Sequence, residues 1–367
     1  MVASTQDSVN EKGTALKRGW TTGACATAAT SAALYGLFSG TFKDPIQITL
    51  PGGQTPDFAL AAEERGDDFA MCGIVKDAGD DPDVTHGAMV RATVRQLSDG
   101  SGVQFKAGKG VGMVTKPGLP IPPGEPAINP VPRKMMIEHC EKICAELGAR
   151  ADIEITISVD NGEALAQQTW NPRLGIVGGL SILGTTGIVV PFSCAAWIHS
   201  IHRGIDVARA EGLTHVVGST GDASEKAAQK HLGLPLQAYL DMGDFAGGLL
   251  KYLKANPVPN LIICGGFAKI TKLAEGHLDL HSGRSQVGFD WLAEQAQSLG
   301  ADEALYDEIR TANTAKHVLE LCTEVDIDIA ERIAVLAAAV AQRVLRNKDI
   351  RVSVLVTDRK GVIIAES

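Results

Sequence analysis

Apolar residues in the first half of the chain recur at the short spacing typical of β-strands. The runs IQITLP, DFALAAEE and DFAMCGIVK are bounded by PGG and RGD turns, and DVTHGAMVRATVRQ alternates in part. An alanine-rich helix, TTGACATAATSAALYGLF, comes before them with Thr21 and Thr22 as candidate N-caps. A second helix is predicted over residues 134–147. This pattern predicts an α+β domain over residues 1–178.

Strands and helices alternate in the second half. LSILGTTG, THVVGST and NLIICGG are each typical of an apolar strand that ends in small residues. Helices are predicted around them at about residues 195–210, 223–231 and 245–255. Past residue 300 the pattern is helical, and VSVLVTDRKGVIIA then predicts a closing hairpin. We expect a Rossmann-like α/β domain over residues 179–367, with a helical C-terminal extension.

Composition agrees with two domains and excludes several classes of partner. With 367 residues and 45% hydrophobic content, the chain can form two cores. A net charge of -9 gives no long-range attraction to nucleic acid or acidic membranes. The polar start, MVASTQDSVNEKGTALK, lacks the apolar region of a signal peptide, and no later run of about 20 apolar residues follows. We expect a cytoplasmic protein that binds neither nucleic acid nor membrane.

The cysteines predict reduced thiols and no metal site. The seven cysteines are dispersed and form no CxxC pair. His139, Cys140 and Cys144 have a spacing that metal ligands can adopt, but the amphipathic helix RKMMIEHCEKICAELG explains all three by itself. We therefore predict no metal held by the protein.

Two segments of the first half are candidate anion sites. RGWTTGACATAA places Thr21, Thr22 and the free amides of a helix start beside Arg18, although capping and close packing explain it equally well. KAGKGVGMVTKPGLP combines Lys109 and Lys116 with glycines, so that amides and ammonium groups can converge on an oxyanion. It lacks the GK[ST] ending of a Walker A loop. A hairpin with solvated lysines is the alternative for this segment.

Two further segments carry side chains suited to acid–base chemistry. GDDPDVTHG contains Asp83 and His86, which can supply a general base or bind a cation, although turn chemistry around Pro82 explains most of its carboxylates. GHLDLHSGRS contains His281 and Arg284 in a dense polar cluster.

Loops that follow apolar strands in the second half predict a nucleotide-type cofactor. Ligands of open α/β sheets bind at the carboxyl ends of the strands, where GGLSILGTTG, VVGSTGD and ICGGFAK place small residues. None of the three contains GxGxxG, which favours a cofactor without a pyrophosphate. The predicted contacts are Gly184, Thr185, Thr186, Gly187, Ser219, Thr220, Asp222, Gly265 and Gly266.

Five segments together resemble the cobalt-precorrin-5B C(1)-methyltransferase family. They are RGWTTGACATAA, GDDPDVTHG, GKGVGMVTKPGLPIPPGEPAINPVPR, NPRLGIVGGLSILGTTGIV and KLAEGHLDLHS, in that order from about Arg18 to Ser282. The resemblance implies S-adenosylmethionine as methyl donor and methylation of carbon 1 of cobalt-precorrin-5B to cobalt-precorrin-6A in cobalamin biosynthesis. Two positions depart from the family pattern: Asp244 stands where asparagine is usual, and Ala268 where a glycine often precedes the lysine.

The implied substrate assigns roles to the candidate residues. The acceptor is a small tetrapyrrole that carries its own cobalt and many carboxylates, so cations and helix-start donors should bind it. These are Thr21, Thr22, Lys109, Lys116, Arg133, Arg173 and Arg284. Asp83, His86 and His281 are the candidates for a base that removes a proton. A homo-oligomer stays open.

Two other functions remain open from the residues alone. An α/β domain also suits a nicotinamide-dependent reductase of a corrin precursor. A non-catalytic tetrapyrrole carrier would need the same carboxylate-binding groups.

Overall fold

A computed structural model describes residues 15–367, and the chain forms two compact units, unit 1 up to Cys194 and unit 2 over Ala195–Ser367. Residues 1–14 of the predicted polar tail lie outside the described residues. The domain boundary predicted after residue 178 falls inside unit 1. Residues 179–180 and 188–189 pair with strands of that unit, so the segment that carries them belongs to it.

Unit 1 contains three helices among the described residues, and short strands make up most of its remaining regular structure. The helices are α1 (Thr22–Ser39), α2 (Pro130–Glu146) and α3 (Gly162–Ala166). The strands are β1 (Gly19–Trp20), β2 (Ile46–Gln47), β3 (Asp57–Phe58), β4 (Ala62–Arg65), β5 (Phe69–Val75), β6 (Met89–Gln96), β7 (Val103–Ala107), β8 (Gly110–Val111), β9 (Met113–Val114), β10 (Ile153–Val159), β11 (Ile176–Val177), β12 (Gly179–Leu180) and β13 (Ile188–Val189).

The core of unit 1 lies between a five-stranded sheet and two helices. The sheet has the order β4-β5-β6-β10-β7, and only the β10–β7 pair is parallel. In β10 the residues Ile153, Ile155, Ile157 and Val159 alternate onto the buried face. Helix α1 packs against α2, β5 and β6 and is buried on all sides over residues 22–36. Its alanines, glycines and threonines are small, so its neighbours approach from every direction.

Two-residue strand pairs bring distant segments of unit 1 together. β1 pairs with β13, which places Trp20 opposite Ile188, and β12 runs parallel to β8. β11 pairs with β9, and β2 pairs with β3. The start of α1 consequently lies beside the segment that follows β12.

Unit 2 alternates helices and strands as predicted. Its helices are α4 (Cys194–Ala210), α5 (Asp222–Leu232), α6 (Ala246–Ala255), α7 (Phe267–Glu275), α8 (Phe289–Ser298), α9 (Glu303–Arg310), α10 (Ala315–Glu324) and α11 (Ile329–Leu345). Its strands are β14 (His215–Ser219), β15 (Tyr239–Asp241), β16 (Asn260–Gly266), β17 (Arg351–Thr357) and β18 (Ile363–Glu366).

The sheet of unit 2 has the order β15-β14-β16-β17-β18. The first four strands are parallel, and β18 is antiparallel to β17. The predicted C-terminal hairpin is therefore confirmed, with Gly361 at φ +78° in its turn. The mixed α and β class is confirmed for both units. None of the helices in residues 15–367 combines the length and apolar character that crossing a bilayer requires.

Candidate functional site

Unit 1 contains a cavity of about 130 Å³. The start of α1, the loop after β5 and residues 169–189 form its walls. Three residues selected from the sequence, Thr21, Thr22 and Asp83, lie in these walls, so the structure brings them together. The full lining is Thr21, Thr22, Lys76, Asp83, Val84, Thr85, Thr169, Asn171, Leu180, Ser181, Leu183 and Val189.

A buried ion pair forms part of this wall. Lys76 directly follows β5, and its side chain is 1% exposed. Its ammonium group donates a hydrogen bond of 2.6 Å to Asp83 Oδ2. Asp83 Oδ1 accepts from the backbone N–H and the hydroxyl of Thr85, at 2.8 and 2.6 Å. Burial alone would raise the pKa of Asp83, but Lys76 and Thr85 hold that pKa below its usual range. Asp83 is therefore a carboxylate and a weak base at neutral pH.

The start of α1 is hydrogen-bonded to the GTTG loop, residues 184–187, and to Leu183 just before it. Thr21 N–H donates to Gly187 O at 3.0 Å, and Gly23 N–H donates to Leu183 O at 2.9 Å. The sequence pattern predicts that this loop belongs to the second domain and contacts the cofactor. The structure instead places it in unit 1, beside the threonines predicted to bind substrate, because β13 pairs with β1.

The four predicted ring-binding cations of unit 1 lie outside the lining of this cavity. Arg133 donates to two backbone carbonyls, of Ile128 at 2.8 Å and of Pro126 at 3.1 Å, and to Glu125 at 3.1 Å. Arg133 thus fixes the loop before α2. The ring-binding role of these cations stays a prediction; they are Lys109, Lys116, Arg133 and Arg173.

His86 also lies outside the cavity lining. Its Nδ1 accepts a hydrogen bond from Ala78 N–H at 3.1 Å and lies 3.9 Å from Asp77 Oδ1. A neutral His86 in this arrangement carries its proton on Nε2. The ring then has no free lone pair to accept a proton from a substrate.

In unit 2 the predicted cofactor residues Ser219, Thr220, Gly265 and Gly266 are neighbours at the carboxyl edge of the parallel sheet. Thr220 N–H donates to Cys264 O at 3.0 Å, and a Cβ added at Gly265 would lie 2.8 Å from Thr220 Oγ1. Ser219 is fully buried, and its hydroxyl has no hydrogen-bond partner among the described residues. Ligands of open parallel sheets bind at this edge.

Charged side chains flank that edge. Lys269, on α7, donates to Thr220 O at 3.0 Å and lies 2.9 Å from Asp244 Oδ1. Asp244, one of the two departures from the family pattern, thus supplies a negative charge that balances Lys269. Asp222 is the first residue of α5, is exposed, and forms an ion pair of 2.8 Å with Lys226.

His281 and Arg284 lie in the loop after α7. Arg284 forms an ion pair of 2.6 Å with Asp279, and Gly283 N–H donates to His281 Nδ1 at 3.1 Å. Burial alone would raise the pKa of Asp279, but the hydrogen bonds from Arg284 and from His281 N–H lower it. This loop belongs to unit 2, whereas the other two predicted catalytic residues belong to unit 1.

No group of three or more His, Cys, Asp or Glu side chains in residues 15–367 is arranged to hold a metal ion. The two ring nitrogens of His139 are both hydrogen-bonded, to Met135 O at 2.8 Å and to Thr49 N–H at 3.0 Å. Cys140 and Cys144 are buried one helical turn apart, with their sulfurs 4.0 Å from each other.

Both parts of the chain match one family. A family model described as CbiD matches residues 9–191, and another, described as CbiD, C-terminal domain, matches residues 279–367. A Brucella anthropi protein named cobalt-precorrin-5B C(1)-methyltransferase is 62% identical over 350 residues, which are 95% of this chain and 95% of that protein. The chain belongs to the CbiD family. A Brucella abortus protein of the same name is 61% identical with the same coverage.

The chain is also similar to a solved structure. The cobalamin biosynthesis protein (cbiD) from Archaeoglobus fulgidus is 28% identical, covers 69% of this chain and 78% of its own, and superposes with a TM-score of 0.40. Membership of the CbiD family confirms the family recognised from the sequence segments. It also confirms the enzyme class, a C-methyltransferase.

Three of the residues that line the cavity of this CbiD-family chain are not among the site residues predicted from the sequence: Lys76, Asn171 and Ser181. Asn171 Nδ2 donates to Gly179 O at 3.0 Å and Asn171 Oδ1 accepts from Ser181, so both fix the cavity wall. The available signal for Lys76 was its position: this lysine directly follows the apolar run FAMCGIV, and only Asp77 and Ala78 separate it from the acidic GDDPD segment. A cation between an apolar strand and carboxylates is a candidate for a buried pair.

Proposed function

We propose that this chain transfers a methyl group from S-adenosylmethionine to carbon 1 of cobalt-precorrin-5B, giving cobalt-precorrin-6A in cobalamin biosynthesis. The observation that carries the proposal is the 62% identity, over 95% of the chain, to a protein named for that reaction. The cobalt belongs to the substrate. The new carbon–carbon bond forms as the carbon–sulfur bond of the donor breaks, and the sulfonium becomes a neutral thioether.

We assign the donor to unit 2 as a Rossmann-like domain. Its four parallel strands are connected through helices, and Ser219, Thr220, Gly265 and Gly266 meet at the carboxyl edge. A buried hydroxyl without a partner, as at Ser219, is uncommon in folded proteins and supports a ligand that hydrogen-bonds there. Gly266 adds open space, because a Cβ built on it meets no atom within 4 Å.

We assign the acceptor ring to unit 1. The start of α1 and the loop after β5 present hydroxyl and ammonium groups in one cavity, and carboxylates of a tetrapyrrole are suitable acceptors for both. Methyl transfer needs the donor methyl in line with the attacking carbon, so positioning and exclusion of water supply most of the rate. A cytoplasmic location and a homo-oligomer stay predictions.

Two measurements on the purified protein test the proposed reaction. Mass spectrometry of the substrate should show a gain of one methyl group that depends on S-adenosylmethionine. A carrier would leave the mass unchanged. Calorimetry should detect binding of S-adenosylhomocysteine, whereas binding of NADPH alone would identify a reductase instead.

The donor site is tested at Gly266, the N-cap residue of α7. Serine and asparagine are good N-caps, and Gly266 has φ −65°, so Gly266→Ser and Gly266→Asn should preserve the melting temperature. The added side chains should weaken S-adenosylhomocysteine binding stepwise, by about tenfold, or 1.4 kcal/mol, for asparagine. Unchanged affinity in both variants would place the donor elsewhere.

A further inference from the structure

The Lys76 ammonium group has hydrogen-bonding capacity that the described chain does not use. A lysine ammonium carries three N–H donors, and Asp83 accepts one of them. Within residues 15–367, Asp83 is the recorded hydrogen-bond partner of this group, although the side chain is 99% buried. Buried donors without acceptors are unfavourable, and this one lines a cavity.

The hydroxyl groups around the cavity are mostly committed. Thr22 donates to Leu183 O, Thr85 to Asp83, Thr169 to Ala166 O and Ser181 to Asn171. Thr21 differs, because its Oγ1 accepts from Ala24 N–H, and within the described chain its own proton has no recorded acceptor. Two groups, the Lys76 ammonium and the Thr21 hydroxyl, therefore retain donors in one cavity.

We propose that Lys76 and Thr21 bind one carboxylate side chain of the tetrapyrrole ring in this cavity. A carboxylate offers two oxygens and a negative charge, which match an ammonium group and a hydroxyl donor. The inference rests on the proposed function for the identity of the ring. It adds the residues that fix the orientation of the ring, and it includes Lys76, which no sequence motif indicated.

The size of the cavity decides which part of a ligand enters. A volume of about 130 Å³ corresponds to roughly four water molecules at about 30 Å³ each. A short carboxylate side chain fits such a space, and a macrocycle does not. The ring therefore stays outside and inserts one side chain, so the cavity selects an orientation of the ring.

Asp83 is a positioning residue in this arrangement. Both of its oxygens are occupied, one by Lys76 and the other by Thr85. It holds the ammonium group in the cavity wall and keeps the pair neutral overall before the ligand arrives. This role replaces the proton-accepting role that the sequence suggested for Asp83.

The test compares a porphyrin that bears free carboxylate side chains with its methyl ester, by absorbance titration. The double variant Lys76→Met/Asp83→Asn removes both charges and leaves neither buried alone. The wild type should bind the free acid more tightly than the ester. The acid-to-ester ratio, which is the affinity for the free acid divided by the affinity for the ester, should be about tenfold smaller in the double variant. Arg91→Met/Asp160→Asn removes another ion pair of unit 1, at 2.9 Å, and should leave the ratio unchanged.

Calorimetry with S-adenosylhomocysteine on the same variants shows whether the carboxylate that enters the cavity belongs to the ring or to the methyl donor. If its affinity falls in Lys76→Met/Asp83→Asn while the acid-to-ester ratio stays, the cavity binds the donor's carboxylate and the assignment to the ring is wrong. If neither quantity changes, the cavity binds no carboxylate and the proposal is overturned.

A measurement on the wild type covers the case in which the double variant does not fold. Propionate should raise the melting temperature, and propionamide, which has the same shape without the charge, should not. Equal effects of the two probes would contradict the proposal. Failure of methyl transfer in the wild type, with the acid-to-ester ratio intact, would reject the proposed reaction and leave the carboxylate site standing.

Discussion

Removing the two charges of the Lys76–Asp83 pair one at a time should have unequal effects on stability. Asp83→Asn leaves an ammonium group that is 1% exposed without its counter-charge, and breaking a buried pair in this way costs about 3–5 kcal/mol. Lys76→Met leaves a carboxylate that is 25% exposed and still bonded to Thr85. With water and two hydrogen bonds available to that carboxylate, we expect a smaller loss of about 1–2 kcal/mol.

The double variant Lys76→Met/Asp83→Asn should be more stable than the sum of the single effects predicts. With no charge left unpaired, its free energy of unfolding should fall within about 1–2 kcal/mol of the wild type, a coupling of roughly 3 kcal/mol. Urea unfolding of the four proteins at pH 7 measures these values. Equal losses in the single variants that add up in the double variant would refute the description of a buried pair.

The stability of the same variants should also depend on pH, in a direction set by the lowered pKa of Asp83. The folded pKa of Asp83 is lowered, so its stabilising contribution is present above about pH 4 and is lost as pH falls through the folded pKa. Asp83→Asn removes the titrating carboxyl group, so its loss of stability relative to the wild type should shrink as pH falls through the folded pKa of Asp83. A loss of stability that stays the same from neutral to acidic pH would contradict a charge-dependent role for Asp83.

Two further predictions concern separate parts of the fold. Gly187→Ala should lower the free energy of unfolding more than Gly178→Ala does. Both glycines have φ above +80°, so alanine introduces a backbone strain of about 1–2 kcal/mol at either position. Only at Gly187 would the added Cβ also meet a side chain, that of Leu50 at 2.5 Å. Urea midpoints measure this, and equal losses would show that Leu50 moves freely. Burial raises the pKa of Glu275, so its favourable neutral form is lost as pH rises through the folded pKa. Glu275→Gln should therefore be more stable than the wild type at pH 7, with the gain vanishing near pH 4 in thermal unfolding. A gain that persists at pH 4 would contradict the role of ionisation.

The sequence predicted the local elements of unit 2 well, because their signals are local. The alternation of strands and helices predicts α4 to α6, and a turn glycine predicts the β17–β18 hairpin. The observed boundaries of these elements differ from the predicted ones by a residue or two. The domain boundary predicted after residue 178 lies inside unit 1, for a physical reason. β12 and β13 are two-residue strands that pair with β8 and β1 far away in the chain. Such short nonlocal pairs leave no periodic pattern.

The candidate site was predictable where its residues lie in local motifs and was not predictable where it depends on contacts between distant segments. Thr21, Thr22 and Asp83 were found in motifs, and all three line the cavity. Lys76 was missed, because its burial depends on the acidic loop returning over the end of β5, which a one-dimensional pattern does not show. Arg133 is predicted to bind the ring, although its guanidinium group donates hydrogen bonds to carbonyls of the loop before α2. A charged residue in a sequence does not reveal whether its side chain is already hydrogen-bonded to other groups of the same chain.

The position of β17 has a consequence for synthesis on the ribosome. β17 lies between β16 and β18 in the sheet of unit 2, yet residues 267–350 separate it from β16. At about 5–20 residues per second, β17 is made roughly 4 to 17 seconds after β16. During this interval β16 has an unpaired edge that can pair with other chains. The sheet of unit 1 is fully translated earlier, so nascent unit 2 is the stage at which this chain most needs protection from aggregation.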